Sequence, residues 1–90
     1  MFFQEVQSSF REYFFISGKF QPWGFRINWK KLSVEHIASN SQADIIGVQC
    51  GWFLYQINGV NVNLDNKNII EQKIEEGCPA NIVFTIETVI

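Results

Sequence analysis

The sequence predicts a small α+β domain, mainly β, with elements in the order β-β-β-α-β-β-α-β, and three observations lead there. Short runs rich in aromatic and β-branched residues recur along the chain and are bounded by Gly, Pro or Asn. Asn58-Gly59 sits between two such runs, where both residues favour the positive φ angles of a tight hairpin turn. Two segments carry helix start and stop signals, residues 39–47 and 65–76, each followed or closed by a glycine. The expected architecture is a partly open barrel or sandwich of five to six strands capped by two helices.

Taken in order, residues 1–11 read as an N-terminal extension, in which the spacing of Phe3, Val6 and Phe10 suits a helical turn or two, and the domain proper is expected over 12–90. Tyr13-Phe14-Phe15-Ile16 is a strand by composition and ends at Gly18. A loop through Gly18, Pro22 and Gly24 follows, after which Phe25, Ile27 and Trp29 alternate with Arg26 and Asn28, the pattern of a strand burying one face. Residues 30–33 form a turn, and in a third strand over 34–38 Val34, His36 and Ala38 are expected to share one face.

Residues 39–47 begin with capping Asn and Ser and end at Gly47, giving about two helical turns. Residues 52–57 and 60–62 are the arms of the Asn58-Gly59 hairpin. In the main helix, from Asp65 or Asn66 to Glu76, Ile69, Ile70 and Ile74 make the apolar stripe and Gly77 the C-cap. Cys78-Pro79-Ala80-Asn81 connects to a last strand over 82–86.

Composition bounds the function. Ninety residues leave room for one core, and 47% hydrophobic residues are enough to fold it. A net charge of −2 offers no broad basic surface for phosphates, so nucleic acid is not an expected partner. Cys50, Cys78 and the single His36 show neither disulfide nor zinc spacing, and no triad motif surrounds a serine or cysteine, so no enzyme activity, metal or cofactor is expected. No apolar run approaches the roughly 18 residues of a membrane span, and a cytoplasmic setting is expected. The N-terminal third is locally basic, with Arg11, Lys19, Lys30 and Lys31 near Trp23 and Trp29, which allows weak contact with an anionic membrane.

Three segments in fixed order carry a family resemblance over about residues 12–87. Lys19 followed by Pro22-Trp23-Gly24-Phe25 is similar to a carboxylate-binding loop of the form R/K-x-x-x-G-Φ-G-Φ; Asn40 to Gly51 is similar to a short helix with a small-residue start; and Leu54-Tyr55-Gln56-Ile57-Asn58-Gly59-Val60 is similar to I-L-x-V-N-G-x. Together they resemble the PDZ family. That resemblance implies a scaffold or signalling module binding the C-terminal or internal extended segment of another protein by strand addition, between strand two and the second helix. A regulatory module beside a protease domain, a peripheral lipid-binding module and a weak homodimer are its alternatives. Carried over residue by residue, the resemblance assigns Lys19, Trp23, Gly24 and Phe25 to the carboxylate loop and Arg26, Ile27 and Asn28 to the pairing strand. It assigns Asn66, Lys67, Ile70 and Ile74 to the helix wall. Pro22 replaces the first loop glycine, Trp23 exceeds the usual leucine, Trp52 stands where many members have aspartate, and neither Asn66 nor Lys67 is histidine, so no Ser/Thr preference in the ligand is implied.

Overall fold

A computed structural model of the chain describes residues 5–16 and 23–89. Six strands and two helices follow in the order β1 (Val6–Phe15), β2 (Phe25–Asn28), β3 (Ser33–Ile37), α1 (Gln42–Ile46), β4 (Phe53–Ile57), β5 (Val60–Asn61), α2 (Lys67–Glu76) and β6 (Ala80–Val89). All pair in one antiparallel sheet of order β1-β6-β4-β3-β2, with β5 added to β4, and β1 and β2 stay apart at its two ends. The sheet therefore does not close.

The element order agrees with the expected one, and the differences have physical causes. Residues 6–11 are strand rather than helical turn: β1 pairs with β6 in unbroken register from Val6↔Val89 to Phe15↔Ala80, so ladder bonds override a local apolar spacing that fits either state. The same pairing lengthens β6 at both ends of the expected 82–86. In β3, Arg26 faces His36 while the next residue, Ile27, faces Val34, so Glu35 is an extra residue on β3. This bulge reverses the alternation: Val34 and Ile37 turn toward the core and His36 is exposed, contrary to the expected Val34, His36, Ala38 face.

Local chemistry places the turns and caps. Asn58 and Gly59 have φ of 50° and 78°, the backbone of a tight hairpin turn, and Asn58 Oδ1 accepts from the Asn81 amide at 2.9 Å, tying the turn to β6. Ser41 Oγ accepts from the Asp44 amide to cap α1, and Gly47 closes that helix with φ 93°. Gln42 bonds both backbone groups of Ile16, its Oε1 accepting from the amide at 2.8 Å and its Nε2 donating to the carbonyl at 2.7 Å, which docks the end of β1 on α1.

An aromatic cluster forms the core. Phe84, at the middle of β6 and 0% exposed, has ring neighbours Tyr13 and Phe15 from β1, Phe25 from β2, and Trp52 at the entrance to β4, with centroids 5.6–6.5 Å away. Trp23, Ile27, Val34, Ala43, Val48, Leu54, Ile57, Ile70, Ala80 and Ile82 are the other buried hydrophobic residues. Phe84→Ala would leave a cavity against four aromatic neighbours and is expected to cost ~3–5 kcal/mol, a large share of a small domain's stability. Urea unfolding followed by tryptophan fluorescence measures it, with Phe84→Leu expected to lose less than half as much.

Candidate functional site

Among the described residues, the sheet's two end strands differ in their surroundings. β2 is short and has α2 beside it, and two adjoining cavities open along that seam. One, of about 230 Å³, is lined by Trp23, Gly24, Phe25, Arg26, His36, Ile74 and Glu75. Its neighbour, about 430 Å³, is lined by Phe25, Arg26, Ile27, Trp29, Glu35, Glu71, Ile74 and Glu75. They share Phe25, Arg26, Ile74 and Glu75, so they form one cleft with β2 as one wall and the Ile74 face of α2 as the other.

Backbone geometry at the start of β2 follows from three neighbours. The Trp23 carbonyl accepts from the Ala43 amide at 2.9 Å and the Gly24 carbonyl from the Ala38 amide at 2.8 Å. In a trans peptide the following N–H points opposite to the carbonyl, so the Gly24 amide points away from α1 and the Phe25 amide away from β3, toward the unpaired edge of β2. Gly24 is required here: its φ is 88°, and a Cβ would collide with the Ser41 side chain.

The expected site residues divide into three groups. Trp23, Gly24, Phe25, Arg26, Ile27 and Ile74 do meet at the cleft. Of these, Trp23 (2% exposed), Phe25 and Ile27 are also core, Trp23 stacking on Phe25 at 6.0 Å, so the cleft floor is the upper surface of the core. The burial of Trp23 also removes it as a membrane-contacting residue and leaves Trp29. Its indole Nε1 is a buried donor with no acceptor among the described residues.

A second group serves structure. Asn28 Oδ1 accepts from the Lys30 and Lys31 amides at 3.0 and 3.3 Å, shaping the β2–β3 turn. Asn66, the N-cap of α2, has its carboxamide engaged twice: Nδ2 donates to the Asn61 carbonyl at 2.7 Å, and Oδ1 accepts from the Asn63 amide at 2.9 Å. Lys67 opens α2, Ile70 is buried in the core, and neither lines the two cavities. Along α2 the lining of the two cavities begins at Glu71, one helical turn after Lys67. Ile69, expected in the apolar stripe, is 61% exposed; five positions separate it from Ile74, whereas Ile70 and Ile74 stand one turn apart. The third group is Lys19, which lies outside the described residues together with the rest of 17–22.

Glu71, Glu75, Trp29, Glu35 and His36 line the cleft without having been assigned to it. Glu71 and Glu75 were legible as a pair four residues apart on one helical face, with Glu71 one turn before Ile74. Glu35 and His36 were not, because the bulge in β3 decides which way they turn. Among the described residues no group of three or more His, Cys, Asp or Glu could hold a metal ion, and Cys50 and Cys78 are both exposed free thiols.

Asn66→Ala removes two loop hydrogen bonds and is expected to cost ~1–2 kcal/mol in thermal or urea unfolding. A peptide that binds the cleft should keep its affinity within about twofold, corresponding to ~0.4 kcal/mol, when measured on folded protein. Compared with known proteins, the chain matches no family model and no curated protein, so the chemistry of the cleft is read from its own residues.

Proposed function

We propose that this domain is a PDZ-type peptide-binding module that takes an extended segment, usually a free C-terminus, by strand addition to β2. One observation carries the reading: β2 ends the sheet, and its unpaired edge borders a cleft whose opposite wall is a helix. An added strand supplies the missing ladder partner for that edge, and alternate side chains of the peptide fall into the cleft. The order of elements along the chain is the one expected from its sequence.

The start of β2 supports carboxylate binding. The Gly24 and Phe25 amides turn away from α1 and β3, with no side chain on Gly24 to obstruct an approaching group. Trp23 occupies core volume beneath this point, and the smaller of the two cavities lies here, which favours a short terminal side chain on the ligand.

Free and C-terminally amidated forms of the best sequence from a C-terminal peptide library test the reading. The free acid is expected to bind near micromolar, about 8 kcal/mol, and amidation to weaken it at least tenfold, about 1.4 kcal/mol. Equal affinity of the two forms would exclude carboxylate recognition. Ile74→Arg fills the helix wall with a long charged chain and is expected to reduce affinity at least tenfold, again about 1.4 kcal/mol. Circular dichroism establishes that this variant is folded, and isothermal titration reads its affinity.

A further inference from the structure

The opposite edge of the sheet carries a second interaction surface. β1 is the other end strand, ten residues long, and among the described residues it pairs with β6 alone. Strand β4 reaches β6 only between Thr85 and Ile82, so the pairs from Val6↔Val89 to Ser9↔Ile86 continue as a two-stranded ribbon beyond the rest of the sheet. A ribbon of two strands is marginal by itself, and a third strand is the usual remedy.

The β1 edge carries few of the devices that discourage pairing, its charges being confined to Arg11 and Glu12. It contains no proline, glycine or lysine, and its register against β6 runs without a bulge. On the face turned away from the core, Val6, Phe10 and Phe14 are 56%, 55% and 61% exposed, spaced so that all three project on the same side. Phe10 rests against Tyr55 at 5.2 Å, which holds the middle of this stripe in place.

We propose that this edge pairs with the same edge of a second copy, antiparallel, on a two-fold axis through Phe10. In that register Phe10 faces Phe10 of the second copy, Val6 faces Phe14, Ser8 faces Glu12, Ser9 faces Arg11 and Gln7 faces Tyr13. The apolar stripes become continuous and no like charges stand opposite. Neighbouring registers are worse. An axis through Arg11 opposes two guanidinium groups, one through Glu12 opposes two carboxylates, and one through Ser9 sets Val6 against Glu12. Setting Arg11 opposite Glu12 turns the two cores to opposite sides of the joined sheet and divides the stripe. Of these registers the axis through Phe10 satisfies charge, face and apolar contact together, and it makes a closed, self-complementary dimer. Both projecting ribbons gain a neighbour, and both β2 clefts stay open at the far ends of the joined sheet.

Sedimentation equilibrium of the full chain up to ~1 mM, so that weak association registers, is expected to show a reversible monomer–dimer transition. Phe10→Lys sets two ammonium groups across the axis and is expected to weaken the dimer at least tenfold, with an unchanged circular dichroism spectrum. Ile74→Arg, at the other end of the sheet, should leave dimerisation unaltered, which separates this surface from the peptide cleft. The register is read by oxidation of Phe10→Cys in a background of Cys50→Ser and Cys78→Ser. Its two thiols meet at the axis, whereas in Ser8→Cys they lie four residues, roughly 14 Å, apart along the strands. Phe10→Cys should cross-link at least tenfold faster. A monomer throughout the concentration range, a Phe10→Lys variant as dimeric as the parent, or equal cross-linking of the two cysteine variants would each overturn the proposal.

Discussion

Edge-to-face packing of aromatic rings about Phe84 is the constraint from which most of the structure follows. Its position on β6 brings it against Tyr13 and Phe15 of β1, Phe25 of β2 and Trp52 before β4. Ring pairs at such tilts add to the area they bury, and here they connect segments far apart in sequence. A 90-residue chain has little volume for a core, and a few large rings fill it with few side chains. Trp52 belongs to this set, stacking on Tyr13 at 6.4 Å, and so uses a position where an aspartate would contribute nothing to the cluster.

Because the core lies on one face of an open sheet, the two end strands acquire different characters. At β2 the core rises to the surface: Trp23, Phe25 and Ile27 are buried, yet they also floor the cleft below the unpaired edge. Residues held in the core are rigid, and in the proposed peptide-binding role that rigidity would lower the ordering cost. The carboxylates of Glu71 and Glu75 beside Ile74 give the helix wall an acidic rim, while Arg26 contributes the cation of the facing strand. At β1 the core-facing residues, Tyr13 and Phe15, occupy only the last third of the strand, and the remainder runs out along β6 with its apolar face exposed.

Small polar residues hold these surfaces in position. Asn28, Asn58, Asn63 and Asn66 each accept from backbone amides: Asn28 shapes the β2–β3 turn, Asn58 the contact of the hairpin with β6, and Asn63 and Asn66 the entry to α2. The frequent asparagine in this chain thus has structural employment, since its carboxamide satisfies turn amides and its backbone tolerates the positive φ found at Asn40 and Asn58. Gly24 and Ser41 are matched in the same sense: the absence of a side chain at one makes room for the capping hydroxyl of the other.

Local chemistry was enough to determine much of this protein from sequence: the number and order of elements, the Asn58-Gly59 turn, and the Gly47 and Gly77 helix ends. These signals act within a few residues, through φ preference, capping and side-chain period, and so survive without knowledge of the rest of the chain. What only the tertiary structure decided are the features that depend on a partner strand. Residues 6–11 become strand because β6 lies beside them, His36 turns outward because β3 carries one residue more than β2 in their ladder, and Asn66 is spent on Asn61 and Asn63 before any ligand arrives. Each outcome is fixed by pairing across the fold, and a single residue of register is enough to exchange a buried face for an exposed one.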